Sequence, residues 1–573
     1  MDPEISHAAP ESTDPDPLPL APTFALLYVA AVALLAWRIG SRPGFSYNWE
    51  TYTLRDLFTF VAHPSRDVLR MNDGLMTDSG RTATVVGPAW LGFKIFGQSW
   101  FGLRFPIVLI SALAVPLTWV FGRRLYSDAV GITAALLVLT SQVFLLYGRT
   151  GTVVGLSIGP ALIGYLLLWM CVRENDQHWL RWLLVFQIAL ILNSYVYSPI
   201  RFLWLIAAVL FAVECVLRGG QRGRFLVSLI VTLAVLPLAL SVLRPGPIET
   251  PVAAVEAYYN GRGEQIFRMS GTQSGVAPFL RNLTPEQQEQ IAEESTDQQI
   301  RRLVRQNAND LVDLLIDRNT RPAVTDFWNP HGRLYPRVLV PFFLVGMLSL
   351  LILFFFDVRA RLMLALFWGY SLPLLLTTQV HIGRLVFIVP LLAIICALPI
   401  GLIVRWLAAR QPPQYRPAFH RWAAVAVGLL IAVAGAAPSM ADWDTPFPMQ
   451  RMPLVADRIV SLTNTPPTQQ LVYVFGDMGG YEIETLRIAE LRMELPGYLR
   501  FEDMTTGEIS GTGPIPLIYG AIIPLLNQPD AIPGYCANLY LVEPDVLDTF
   551  HQASDATAQQ ACGQPLRFDV LDV

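Results

Sequence analysis

Apolar runs of about 20 residues, the length that crosses a hydrocarbon slab, recur along this chain with short polar links between them. They predict helices near 21–38, 100–121, 128–147, 153–172, 180–197, 199–217, 224–243, 336–356, 361–378, 383–405 and 420–438. That is about eleven spans, and Pro88 to Gly97 suggests a further short, partly inserted helix. Residues 1–20 are acidic and proline-rich, the composition of a disordered tail. No basic residue precedes the first run and no small-residue cleavage pattern follows it, so it reads as an uncleaved helix and not as a secretory signal.

Three longer polar segments interrupt the pattern. The first covers 39–100 and the second 244–335. In the second, Ile291, Ile300, Leu303, Val304, Leu311, Leu314 and Leu315 recur at helical spacing, predicting an amphipathic surface helix. The third, 441–573, has short β-rich runs (Leu471–Phe475, Pro516–Tyr519, Leu539–Val542, Leu566–Val570) and a helix-like stretch, Glu484 to Glu494. That alternation predicts a small α/β domain. The expected architecture is a polytopic α-helical membrane domain over 21–440, followed by a soluble α/β domain over 441–573.

Charge gives the orientation. Arg123 and Arg124, Arg173 and Arg181, Arg218, Arg222 and Arg224, Arg359 and Arg361, and Arg405, Arg410, Arg416 and Arg421 all fall on one side. The opposite short links carry single arginines: Arg149, Arg201 and Arg384. The positive-inside rule makes the first set cytoplasmic, which puts the N-terminus inside and the C-terminal domain outside, in a plasma membrane. Arg38 and Arg42, at the outer end of the first helix, are the exception. Only 15% of residues are charged, against about 25% in soluble chains, which excludes an ordinary soluble protein. A net charge of −4 gives no sign of a nucleic-acid partner.

Of five cysteines, Cys171, Cys215 and Cys396 lie in apolar runs. Cys536 and Cys562 lie in the polar C-terminal segment and are expected to form a disulfide if that segment faces an oxidising compartment. No His/Cys cluster has zinc spacing, no cofactor is expected, and the sequence leaves a divalent metal open. Asp14-Pro15-Asp16 lies in the tail, and the loop Gly476 to Gly480 lacks dinucleotide-site spacing.

Ionisable residues at the outer boundary are costly to insert and are therefore the candidates for chemistry. The first outer segment opens with Gly44-Phe45-Ser46-Tyr47-Asn48-Trp49-Glu50-Thr51-Tyr52. Glu50 is either a general base among aromatics or a solvated carboxylate in an interfacial belt. Arg149, Arg201 and Arg384 stand against the charge bias. A guanidinium there can fork onto the phosphate of an anionic lipid, while snorkelling accounts equally well for any one of them.

The order of these features resembles a known family. Phe96-Gly97-Gln98-Ser99-Trp100-Phe101-Gly102-Leu103-Arg104-Phe105-Pro106 is followed by Gly122-Arg123-Arg124-Leu125-Tyr126 and then Leu146-Tyr147-Gly148-Arg149. Tyr195 to Arg201, Asn329-Pro330-His331-Gly332-Arg333, and Arg384 with Pro390 complete the series. Over roughly 25–405 this resembles the GT-C membrane glycosyltransferases, in particular the family 39-like bacterial relatives of protein O-mannosyltransferases and aminoarabinose transferases. The resemblance implies a polyprenyl-phosphate-linked sugar donor, used at the outer face, and inverting transfer to a lipid, glycan or protein acceptor. It also implies an Asp-Glu pair in the first outer loop, with the Asp as base. Here that pair reads Trp49-Glu50, so the base is Glu50 or, from the same loop, Asp56, Asp73 or Asp78. Arg384, Arg201 and Arg149 are the expected donor-phosphate ligands. Trp49, Tyr195 and Tyr197 are the expected sugar or lipid contacts. The alternatives are a non-catalytic protein of the same fold and a transporter, although no repeated halves are visible.

Overall fold

The computed structural model describes residues 18–40, 50, 53–54, 57, 83–173, 177–194, 196, 198–243, 296–316, 337–376, 382–412 and 414–441, together with six strands between 470 and 570. These residues fall into two compact units. One holds Met1–Trp37, Leu69–Val85 and Phe105–Asp444, and the other holds Arg38–Val68, Val86–Arg104 and Thr445–Val573.

Helices stand in every predicted apolar stretch. They are α1 (Leu20–Ala36), α2 (Ala83–Phe96), α3 (Trp100–Ser111), α4 (Ala114–Leu125), α5 (Asp128–Leu139), α6 (Gln142–Tyr147), α7 (Val153–Val172) and α8 (Trp179–Ser194). After them come α9 (Phe202–Leu217), α10 (Arg222–Leu243), α11 (Thr296–Ile316), α12 (Val340–Leu353), α13 (Val358–Ser371), α14 (Val389–Ala409) and α15 (Arg416–Ala441). Among the described residues, Trp100–Leu125, Val153–Val172 and Leu385–Ala409 are long and apolar enough to cross a membrane. Phe202–Leu217 with Gly219–Val235 passes as a pair bent by 118°.

Several predicted helices are interrupted, and three of the breaks have a local cause. The run 128–147 breaks at Thr140 and Ser141, where the Thr140 hydroxyl donates to the Leu136 carbonyl (2.9 Å) and Ser141 turns extended. The run 361–378 leaves α geometry after Ser371 and continues as a 3-10 turn, Leu372–Leu376, in which Pro373 supplies no N–H. The run 383–405 begins as a 3-10 turn, Ile382–Ile388, and becomes α14 with Pro390 in its first turn, where the missing N–H costs nothing.

Without water to expel, membrane helices associate by close contact of small residues. A Cβ placed on Gly131 would lie 2.5 Å from the Trp119 carbonyl oxygen, and one on Gly122 would lie 2.9 Å from the Gly131 Cα. Gly346 of α12 meets the Ile395 backbone of α14 in the same way, at 2.1 Å. Backbone cannot retreat as a side-chain tip can. Gly131→Val is therefore expected to lower stability by about 1–3 kcal/mol. Gly223→Ala, with nothing within 4 Å, should change little. Thermal unfolding of both variants in detergent checks the contrast.

At the end of this bundle that carries the paired arginines, Glu214 is fully buried. Arg361 donates to it through Nε (2.5 Å) and Nη2 (3.1 Å), and Arg218 Nε lies 2.7 Å from its second oxygen. Arg361 also donates to the Phe354 carbonyl (2.9 Å) and Arg218 to the Val172 carbonyl (3.2 Å). One carboxylate and two guanidiniums thus tie together the ends of α7, α9, α12 and α13.

In the other unit, β1 (Gln470–Tyr473), β2 (Leu499–Asp503), β3 (Ile509–Ser510), β4 (Ile515–Tyr519), β5 (Ala537–Val542) and β6 (Arg567–Val570) form one sheet, in the order β3-β2-β4-β1-β5-β6. All pairs are parallel except β2 with β3. Each of the four predicted β-rich runs coincides with a strand of this sheet. Parallel neighbours require crossover connections, so β1 is central although first in sequence. The predicted helix Glu484 to Glu494 lies outside the described residues.

Candidate active site

The first outer segment begins where α1 ends. Arg38 takes a left-handed backbone, φ 54°, the turn that glycine usually supplies after a helix. Past it, Glu50, Leu54 and Leu57 are buried, and Leu54 and Leu57 cluster with Val86, Ala89 and Leu103. Phe93 and Trp100 pack against that cluster.

The motif Phe96 to Pro106 accounts for this local order residue by residue. Gly97 is left-handed at φ 78° and ends α2. Ser99 caps α3: its hydroxyl accepts from the Gly102 N–H (3.0 Å) and its carbonyl from the Leu103 N–H (2.9 Å). Gly102 is obligatory, because a Cβ there would sit 2.4 Å from the Gly97 carbonyl oxygen. This tight turn sets Arg104 one helical turn into α3. Arg104 donates from Nε to Glu50 Oε1 (2.8 Å), from Nη2 to Glu50 Oε2 (2.8 Å) and from Nη1 to the Ile39 carbonyl (3.1 Å). Its guanidinium also lies 4.7 Å from the Trp100 ring centroid. Both ionic partners are enclosed, at 1% and 0% exposure. A forked, dry pair of this kind holds geometry. Both oxygens of Glu50 accept hydrogen bonds from Arg104.

In the other unit, two further motifs grip α1 by its ends. At the start, the Leu18 N–H donates to Asp128 Oδ2 (2.9 Å), while Arg123 Nη1 donates to the Leu18 carbonyl (2.7 Å). The Trp119 indole donates to Asp128 Oδ1 (3.3 Å), and Arg123 lies 3.4 Å from the same oxygen. At the far end, Arg149 Nη2 donates to the Trp37 carbonyl, one of the acceptors a helix terminus leaves without a partner. Gly148 allows the approach, since a Cβ there would crowd the Phe144 carbonyl (2.7 Å) and Leu35 (3.2 Å).

Arg149, the expected phosphate ligand, is buried, at 2% exposure, and clasps the end of α1. Arg201 closes the 3-10 turn Ser198–Arg201 ahead of α9 and is buried as well. Arg384 lies on the 3-10 turn Ile382–Ile388. The predicted amphipathic helix is α11, whose Leu311, Leu314 and Leu315 are buried. Its Asn307 donates to the Leu375 carbonyl (3.1 Å), fastening it to the turn after α13. Trp49, Asp56, Asp73, Asp78, Tyr195, Tyr197, Cys536 and Cys562 lie outside the described residues. Among the described residues, no group of three or more metal-binding side chains occurs. Sequence reasoning named Glu50 and Arg104 but did not pair them, and it missed Asp128 and Glu214. For Glu214, a signal was present in Arg218 four residues on, the favourable helical spacing.

Residues 88–243 match the profile of a family described as dolichyl-phosphate-mannose-protein mannosyltransferase. That stretch contains all three motifs just described. No curated protein matches the sequence. Among solved structures, the apo oligosaccharyltransferase of Archaeoglobus fulgidus is similar at 14% identity and a TM-score of 0.48, covering 83% of this chain and 64% of that one. The oligosaccharyltransferase AglB of that organism, in complex with an inhibitory peptide and a dolichol-phosphate, gives 15% and 0.47, over 82% of this chain and 63% of that one. The apo ArnT of Cupriavidus metallidurans gives 12% and 0.40, over 93% and 95%. This chain thus spans a little under two thirds of the oligosaccharyltransferases. By profile match and motif order, the chain resembles the GT-C membrane glycosyltransferases.

Proposed function

We propose that this protein transfers a sugar from a polyprenyl-phosphate-linked donor to a lipid, glycan or protein acceptor at the outer face of the membrane, with inversion. The observation that carries this reading is the match over residues 88–243 to a family named for a dolichyl-phosphate-linked sugar donor. The matched stretch is also where the motifs hold α1 and the first outer segment in place.

In this reading Glu50 positions the loop, and the proton acceptor is an aspartate of the same loop, Asp56, Asp73 or Asp78. A base must reach the acceptor hydroxyl at hydrogen-bond distance, and Glu50 is already committed to Arg104. Arg384 binds the donor phosphate together with Arg201, while Arg149 serves α1. Arg384→Gln is expected to raise the donor KM by about 10- to 100-fold, the worth of a charge-assisted hydrogen bond, with folding intact. Transfer assays on the purified protein across a donor titration measure it, and an unchanged KM removes Arg384 from the donor site. The second reading, a non-catalytic lipid-sugar binder, rests on the absence of Asp from the Asp-Glu pair. It predicts donor binding without turnover in the same assay.

A further inference from the structure

The turn Ile382–Ile388 that carries Arg384 is seven residues of 3-10 helix. Such runs are uncommon beyond three or four residues, because their hydrogen bonds are poorly aligned. A donor-site arginine on so weak an element needs support from outside the turn.

An aromatic column supplies it. Phe387, near the end of the turn, is fully buried, with its ring stacked on Tyr370 of α13 (centroids 5.4 Å apart, planes at 25°). Tyr370 lies against Tyr165 of α7 (5.8 Å), and Tyr165 against Phe121 of α4 (6.0 Å). The Tyr165 hydroxyl donates to the Phe387 carbonyl (3.4 Å). Packing alone would be met by phenylalanine, because a hydroxyl buried away from water is a cost unless it finds an acceptor. At Tyr165 the acceptor is a backbone carbonyl of the turn itself, three residues after Arg384. Ring and hydroxyl together set where that turn sits.

We infer that Tyr165 and Tyr370 are positioning residues for the donor phosphate, acting through Phe387 on the turn that carries Arg384. The inference rests on the reading of Arg384 as a phosphate ligand. Its test therefore measures both, as the Kd of purified full-length protein for undecaprenyl phosphate in detergent. Tyr165→Phe removes one ordinary hydrogen bond and should raise Kd about two- to tenfold. Tyr370→Phe keeps the stacked ring and should stay within twofold of wild type, whereas Tyr370→Leu should weaken binding at least as much as Tyr165→Phe. In the Arg384→Gln background, Tyr165→Phe should have no further effect, because the two residues act through one contact. A purely structural role would instead lower affinity by the same factor in both backgrounds. That result, or an unchanged Kd in Tyr165→Phe and Tyr370→Leu while Arg384→Gln weakens binding, overturns the inference and leaves the donor site standing. An unchanged Kd in Arg384→Gln itself overturns the underlying reading and this inference with it. Should Tyr165→Phe not fold, Phe387→Leu in both backgrounds answers the same question.

Discussion

Glu50→Gln is expected to abolish sugar transfer and, in the same protein, to lower stability by about 3–5 kcal/mol. That is the cost of leaving one member of a buried ion pair without its partner. The carboxylate and Arg104 are enclosed and joined by two parallel hydrogen bonds of 2.8 Å. The same guanidinium holds the Ile39 carbonyl, so losing the pair releases the start of the first outer segment at two points. Arg104→Gln should behave alike, and the double variant should recover much of the stability, because neither charge is then stranded. A base reading makes a different forecast: loss of transfer with unfolding unchanged. Thermal unfolding and transfer, measured on each variant, separate the two. If Glu50 positions and an aspartate abstracts the proton, Asn at one of Asp56, Asp73 and Asp78 should cut turnover by about 10²–10⁴ with stability intact.

Glu214→Leu should be the most destabilising single change in the helical unit. It strands Arg361 and Arg218 together, and the expected loss is again about 3–5 kcal/mol or somewhat more. Arg361 is 4% exposed and cannot turn to water without unpacking α13. Arg218 is less enclosed, at 12%, so Arg218→Leu should cost distinctly less, with Arg361 still paired. Replacing all three residues by apolar ones is expected to restore much of the loss, as desolvation of three charges is then avoided. Denaturation midpoints of the single and triple variants in detergent decide this. Equal losses for Glu214→Leu and Arg218→Leu would mean that the network contributes little.

Positions of the helices were legible because a membrane span is written locally, as one apolar run of sufficient length. The strands were legible for a similar reason, as short β-branched runs between turns. Breaks inside runs were not. Thr140 and Ser141 look innocuous in an apolar stretch, and only the Thr140 back-bond to Leu136 reveals the kink. Candidate residues suffered from a different blindness. Arg149 stood out because its charge opposes the positive-inside bias, while the carbonyl that it clasps, 112 positions away, has no sequence signature. Asp128 lies in the first turn of α5, and the Leu18 backbone that it grips likewise has no sequence signature. Glu50 and Arg104 were both visible in quoted motifs, but their pairing depends on the tight turn that Gly97, Ser99 and Gly102 impose. Motif order therefore indicated the resemblance, while the contacts show that Arg104, Arg123 and Arg149 of these motifs secure α1 and the outer segment.

If the protein consumes a lipid-linked sugar, as proposed, the lipids and glycans of cells lacking its gene should record it. Mass spectrometry of both fractions should show one sugar missing from an acceptor and an accumulated polyprenyl-phosphate sugar of the same mass. Reintroducing the intact gene should reverse both changes, and reintroducing the Arg384→Gln form should reverse neither fully. Unchanged lipid and glycan profiles in the deletion strain would mean that the protein consumes no lipid-linked sugar.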